Sequence, residues 1–295
     1  MPSPYPPLSP YPAPDSTASP HDLYEFERRR QKRRVRLQIL LFFATVLSTT
    51  VMFGWTYSAS LISILLFHEM GHYFAARRYG VAATLPYFIP APLISPFGTF
   101  GAVIRMGGVI PNRKALFDIG IMGPLLGVVV ALPITFYGIA KSQLVLKSQL
   151  GPDVTSLGDS ILFSLIARWI HGPLPDGVDI LLDPVGYAGW AGLLVTAINL
   201  VPMGQLDGGH VIYALFPEKS ELLYKLVFAA FLIFAAIKNH AWLVFLALVF
   251  FLVRLKHPPT LDEVQPLGWQ RFLFGILALV FFVLTFPPVP FQFGP

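Results

Sequence analysis

Long apolar segments alternate with short polar ones along most of this chain, from residue 37 to residue 287. Because a helix needs about 20 apolar residues to cross a bilayer, this pattern predicts an all-α polytopic membrane protein with about six to seven transmembrane helices. The fifth and sixth spans are short and are separated only by residues 238–240, so a tight helical hairpin is an alternative there. The predicted spans are residues 37–55, 57–77, 117–140, 186–204, 222–237, 241–255 and 270–287.

Residues 86–110 fit neither a span nor an ordinary loop. Four prolines (Pro86, Pro90, Pro92 and Pro96) forbid a continuous helix, and residues 98–106 favour β-structure. Strands survive at membrane depth only where protein or a water-filled cavity covers them, so we predict a short re-entrant β-hairpin. Its edge would suit a substrate held in extended form. The alternative is a surface loop in the headgroup layer.

The ends of the chain differ from its middle. Eight of the first twenty residues are proline, and seven of the ten residues 27–36 are basic. We therefore predict a disordered, Pro-rich and polybasic cytoplasmic tail over residues 1–36, a core over residues 37–216 and additional C-terminal helices over residues 217–295. The polar stretch 141–184 is too short for a sizeable domain, and within it residues 158–170 predict an interfacial amphipathic helix.

Composition and charge support a membrane location. Hydrophobic residues make up 55% of the chain and charged residues 13%, against about a quarter charged in globular domains. With the N-terminus cytoplasmic, sixteen Lys and Arg residues fall inside and four outside, which is a strong positive-inside bias. We predict a bacterial cytoplasmic (inner) membrane. Beside a span, the basic run indicates lipid headgroups rather than nucleic acid.

A metal-binding motif lies inside the second predicted span. His68, Glu69 and His72 form H-E-x-x-H, which on a helix places both imidazoles on one face, one turn apart. Such a pair can hold Zn²⁺, and the Glu can act as general base on a water bound to the metal. The alternative is a pair of core histidines with a buried Glu. The metal-binding interpretation is favoured, because an ionisable residue inside a transmembrane helix is costly and usually belongs to a functional site.

A third ligand is available at Asp207, which follows a long apolar run and precedes Gly208-Gly209. Catalytic zinc takes three protein ligands and keeps one position open, so two His and one carboxylate predict one Zn²⁺ per chain. The alternative is that Asp207 caps the helix that resumes after it. The chain has no cysteine, so thiolate ligands are excluded. Both motifs lie toward the cytoplasmic ends of their spans.

Together, HEMGH (68–72) and the downstream pattern Asn199-x-x-Pro202-x-x-x-Leu206-Asp207-Gly208 resemble the site-2 protease family of intramembrane zinc metalloproteases. Residues 86–106 and 118–127 are similar to its plant and cyanobacterial branch, without an inserted PDZ domain. The resemblance implies zinc held by His68, His72 and Asp207, with Glu69 activating water. It also implies that Asn199 lies near the scissile bond, where its amide would bond substrate backbone or the developing oxyanion. A hydrogen bond between helices is the alternative for Asn199.

We therefore expect an intramembrane zinc endopeptidase whose partners are the bilayer and substrate proteins with a transmembrane segment. Two alternatives from other classes are a membrane metal transporter or sensor and a catalytically silent scaffold. His210, three residues after Asp207, is a candidate partner of the metal site or a structural hydrogen-bonder. The remaining isolated histidines are predicted to be solvated: His21, His171, His240 and His257.

Overall fold

The computed structural model describes residues 20–151, 155–238, 241–248 and 257–292, and it is mostly helical. Its nine described helices are α1 (Pro20–Phe53), α2 (Trp55–Arg78), α3 (Arg113–Lys141), α4 (Ile161–His171), α5 (Pro184–Leu200), α6 (Asp207–Leu215), α7 (Ser220–Lys238), α8 (Ala241–Leu248) and α9 (Trp269–Thr285). The strands are short: β1 (Ala82–Ala83), β2 (Tyr87–Pro90), β3 (Thr99–Val103), β4 (Met106–Gly107), β5 (Gln143–Leu146), β6 (Ser156–Leu157), β7 (Val178–Leu181) and β8 (Phe291–Gln292).

Within the described residues, three helical segments are long and apolar enough to cross a membrane: Arg33–Phe53, Arg113–Lys141 and Pro217–Ile237. Large apolar side chains on the outer helix faces are exposed, among them Phe43 and Val129, as expected for surfaces that face lipid. The chain is therefore an integral membrane protein. The total of six to seven spans stays a prediction, and the sixth predicted span lies partly outside the described residues.

Helix α3 occupies the centre and packs against α2, α5 and α6. Its small residues allow this close approach. A Cβ added to Gly123 would collide with the His72 ring, and one added to Gly138 would collide with the backbone at Gly186. Pro124 lies inside α3 and the helix continues through it. The glycines thus bring α2 and α5 against α3, which is how small residues act in membrane helix packing.

The segment rich in proline forms paired strands. β2 and β3 are antiparallel, with Tyr87 opposite Val103 and an irregularity between Phe88 and Pro90. Two tyrosine hydroxyls hold the connection between the strands: Tyr57 donates to the Phe97 carbonyl at 3.2 Å, and Tyr187 donates to the Pro96 carbonyl at 2.8 Å. This hairpin is therefore fixed to α2 and α5.

The polar regions differ in part from expectation. α1 begins at Pro20, so the boundary predicted at residue 36 falls inside a helix, whereas residues 1–19 of the predicted tail lie outside the described residues. Within the 141–184 stretch, α4 begins after Ser160, whose hydroxyl accepts a hydrogen bond from the Phe163 amide at 3.2 Å. Phe163 and Ile166 bury one face of α4, as the amphipathic pattern predicts.

Candidate metal centre

Helix α2 brings His68 and His72 together on the face that packs against α3. Their Nε2 atoms are 3.2 Å apart, and the two residues are only 3% and 7% exposed. The four-residue spacing produces this arrangement, since residues i and i+4 of a helix lie one above the other. The predicted histidine pair is therefore present and shielded from solvent.

Asp207 joins the pair from the first residue of α6. α5 ends at Leu200, and the chain turns through Pro202 and Gly204 before α6 begins. The Asp207 Oδ2 atom lies 3.2 Å from His68 Nε2 and 3.3 Å from His72 Nε2. The interpretation of Asp207 as a helix cap is wrong, because the N-cap residue is Leu206 and no side chain caps this helix.

Hydrogen bonding fixes the tautomer of His72. Its Nδ1 atom is 2.8 Å from the Ile119 carbonyl oxygen, and a carbonyl only accepts, so Nδ1 carries the hydrogen. In the neutral ring, Nε2 then presents a lone pair toward His68 and Asp207. A metal-binding histidine commonly donates its other N–H to such an oxygen, which orients the ring and its lone pair.

The donor set fits zinc. Three atoms, one from each of His68, His72 and Asp207, form a nearly equilateral triangle with sides of 3.2–3.3 Å. Zinc bonds of about 2.0–2.1 Å in a tetrahedral arrangement separate their ligands by about 3.3 Å. Among the residues that the structure describes, this is the one group of three or more His, Asp or Glu side chains able to share an ion.

The glycine face of α3 forms one wall of the centre. Gly123 lies against the His72 ring, and a Cβ on Gly127 would be 3.2 Å from Nδ1 of His68. One turn earlier on the same face of α3, a Cβ on Gly120 would be 2.8 Å from Cβ of His210. The His72 ring therefore occupies space that any larger residue at position 123 would fill.

Glu69 is buried beside the cluster, at 7% exposure. The backbone amide of Ile104, the residue that follows β3, interacts with its carboxylate. A carboxylate at this position, next to a ligand and away from bulk water, is placed to accept a proton from a reacting group. The contact also connects the hairpin to the centre.

Asn199, near the end of α5, also reaches the cluster. Its Nδ2 atom lies 3.2 Å from Nε2 of His68. This hydrogen bond joins two helices, which is the arrangement that the alternative described, and the position of Asn199 near a scissile bond stays a prediction.

Two histidine predictions fail. His257 was expected to be solvated, but it is 7% exposed and its Nε2 atom lies 2.7 Å from Nδ1 of His210. His171 is half-buried, and its Nε2 atom bonds the Ile139 carbonyl at 3.0 Å. The sequence carries no local signal for the His210–His257 pair, since its members are 47 positions apart. His240 and the side chain of His21 lie outside what the structure describes.

Comparisons with known proteins agree with this centre. The sequence model described as peptidase family M50 matches residues 56–237. "Probable zinc metalloprotease EGY2, chloroplastic" from Oryza sativa subsp. indica is 30% identical over 82% of this chain and 44% of its own length. "Probable zinc metalloprotease EGY1, chloroplastic" from Arabidopsis thaliana is 31% identical over 78% of this chain and 42% of its own length.

The chain therefore spans less than half the length of these curated relatives. No solved structure matches it.

Proposed function

This chain belongs to peptidase family M50, the site-2 protease family, and we propose that it is an intramembrane zinc metalloendopeptidase. It would cleave transmembrane or membrane-proximal segments of other proteins. The observation that carries the proposal is the triangle of donor atoms from His68, His72 and Asp207 beside the buried Glu69. The relatives are named as probable zinc metalloproteases, which supports the same activity.

In this proposal His68, His72 and Asp207 hold one zinc ion per chain. The ion, when bound, supplies Lewis acidity that polarises a peptide carbonyl and lowers the pKa of water. Support comes from the spacing of the three donor atoms and from the lone pair that Nε2 of His72 presents. Burial of the cluster matters because charge interactions are stronger where water is excluded.

Glu69 is the proposed general base and acid. Its carboxylate takes the proton of the attacking water and then gives it to the nitrogen of the leaving amine. The backbone amide of Ile104 interacts with this carboxylate. Because Glu69 directly follows His68 on α2, the helix backbone fixes the position of the proposed base relative to a proposed metal ligand.

Asn199 is the proposed positioning group for substrate. Its amide N–H donates toward His68 Nε2 here, and with zinc on that nitrogen the same donor is free for a substrate carbonyl or the developing oxyanion. We propose that β3 binds the unwound substrate along its edge, as in strand addition. Support comes from the contact of Ile104, at the end of β3, with Glu69.

The membrane arrangement is likewise proposed. We propose six to seven transmembrane spans and a re-entrant position for the β2–β3 hairpin. The N-terminus would be cytoplasmic, and the candidate metal centre would lie toward the cytoplasmic side. The orientation is supported by the distribution of Lys and Arg, sixteen of which fall in the predicted cytoplasmic segments and four in the segments outside. The relatives are chloroplastic by name, so a bacterial inner membrane has no support from them and stays a prediction.

The test is cleavage of a single-span model substrate by purified protein in detergent. Glu69→Gln should bind zinc at one ion per chain and should cleave no substrate, because the amide cannot accept the proton. Glu218→Gln is the matched control, since it makes the same chemical change on an exposed turn after α6 and should cleave normally. Cleavage by Glu69→Gln at the wild-type rate would reject Glu69 as the base.

A transporter would need further ligand groups along its path. The part of the chain that the structure describes contains one such group, so no observation favours transport. A silent scaffold would not need the buried carboxylate of Glu69 beside three metal-binding donors.

A further inference from the structure

Two histidines outside the metal triangle form a directed hydrogen bond. His257 Nδ1 lies 2.6 Å from the carbonyl oxygen of Pro258, so this nitrogen carries the hydrogen. In the neutral ring Nε2 of His257 is then an acceptor, and it lies 2.7 Å from Nδ1 of His210. His210 is therefore the donor and His257 the acceptor. No step of the proposed reaction uses this pair.

His257 belongs to a segment that crosses from α6 to the chain before α3, and we call residues 257–263 the strap. Glu263 accepts a hydrogen bond of 3.0 Å from the Tyr213 hydroxyl on α6. Next to Glu263, the backbone amides of Leu261 and Asp262 donate to the carbonyls of residues 110 and 111, just before α3, at 3.1 and 3.0 Å. The strap is thus fixed to the beginning of α3 as well as to α6.

Helix α6 needs such external support. It has nine residues, and a helix shorter than about 12 residues is marginal without tertiary contacts. No side chain caps its N-terminus, since the N-cap residue is Leu206, and the carboxylate of the first helical residue, Asp207, lies beside His68 and His72. The rotation of this helix about its axis sets where Oδ2 of Asp207 lies.

His210 is well placed to fix that rotation. It lies three residues after Asp207, hence nearly one turn along the same face. Gly120 of α3 packs against its Cβ, and His257 holds its ring nitrogen. The ring of His257 also stacks on Tyr213, with centroids 4.4 Å apart. α6 is consequently held between α3 and the strap.

We propose that His257 is a positioning residue of the metal centre, which fixes α6 through His210 and so aims the Asp207 carboxylate at the two α2 histidines. The inference rests on the proposed function, because it takes Asp207 as a zinc ligand. It adds a contribution from beyond residue 237, where the family match ends. The C-terminal region thereby takes part in holding the ion.

The test compares two substitutions that separate the hydrogen bond from the ring. His257→Phe keeps a ring to stack on Tyr213 but removes the acceptor, whereas His257→Gln keeps an acceptor and removes the ring. Zinc affinity of the metal-free protein in detergent is the first readout. We expect zinc binding about ten-fold weaker for His257→Phe, the lower end of the loss seen when a residue that supports a metal ligand is removed. His257→Gln should bind zinc almost normally.

The visible spectrum of the Co²⁺-loaded protein is the second readout, and it reports coordination geometry without any cleavage. His257→Phe should alter this spectrum. Leu261→Ala is the control, because Leu261 is on the same strap and is 74% exposed; it should change neither readout. Unchanged affinity and spectrum in His257→Phe would overturn the proposal, and so would equal losses in His257→Phe and His257→Gln.

Folding defects are separated by thermal melting of the metal-free protein. If His257→Phe does not fold, His210→Asn and His210→Leu replace it, because Asn retains an N–H donor near the position of Nδ1 and Leu does not. Weaker zinc binding in His210→Leu alone supports the proposal, and equal binding in both contradicts it. Wild-type protein that binds no zinc would instead reject the proposed function itself.

Discussion

Replacing Gly123 with alanine tests the contact between α3 and the metal centre. A methyl group at this position would lie 2.5 Å from Cδ2 of His72 and closer still to the rest of the ring edge. Ordinary carbon contacts begin near 3.4 Å, so the ring must retreat by about 1 Å. Zinc–ligand distances tolerate only about 0.2 Å. His72 therefore leaves the coordination sphere in Gly123→Ala.

The expected result is a zinc content far below one ion per chain, together with loss of cleavage. Zinc affinity should fall by more than the 10–100-fold that is typical when a hydrogen-bond partner of a metal ligand is lost, because here a proposed ligand itself is displaced. Overpacking should also lower the free energy of unfolding by about 1–3 kcal/mol. Metal analysis of protein purified in detergent measures the first effect, and thermal melting measures the second.

Gly127→Ala supplies the matched comparison on the same face of α3. Its methyl group would be 3.2 Å from Nδ1 of His68, so a shift of a few tenths of an ångström suffices. We expect zinc content near that of the wild type and a modest loss of activity. The reasoning is refuted if Gly123→Ala folds and retains as much zinc as Gly127→Ala.

Three further predictions concern single side chains. Asp207→Asn should lower zinc content, because the amide is a poorer ligand than the carboxylate, and full stoichiometry by metal analysis would contradict that role. Asn199→Ala should reduce kcat by about 10²–10³, as for loss of an oxyanion donor, and zinc content that falls in parallel would instead indicate a structural role. Burial, and then the nearby Asp179, raise the pKa of the Asp159 carboxyl. A raised pKa favours the folded state at low pH, and that contribution is lost as the pH rises through the folded value. Asp159→Asn should therefore raise the melting temperature at pH 7 and change it little near pH 3, and an equal gain at both would contradict this.

The donors of the metal centre could be predicted from sequence because each has a local signal. His68 and His72 have helical spacing in an apolar run, and Asp207 is an acidic residue in apolar surroundings. The resemblance to the site-2 protease family, which the comparisons confirm, added Asn199. The close contact between α3 and α2 is seen at Gly123, where an added Cβ would collide with the His72 ring.

What could not be predicted depends on contacts between distant parts of the chain. The pairing of His210 with His257 has no periodicity and no motif, and an isolated His beside proline suggests a solvated position. The same holds for Ile104 and Glu69, which meet only after the hairpin packs on α2. The start of α1 at Pro20 was missed because composition predicts disorder in the tail as a whole.

The three proposed zinc donors come from distant parts of the chain, since Asp207 follows His68 by 139 positions. Ribosomes add roughly 5–20 residues each second, so a nascent chain would carry its histidine pair for roughly 7 to 28 s before the carboxylate is made. During that interval a growing protein of this kind lacks one of the three proposed zinc donors. Biosynthesis itself would thus delay activity until most of the bundle has been inserted.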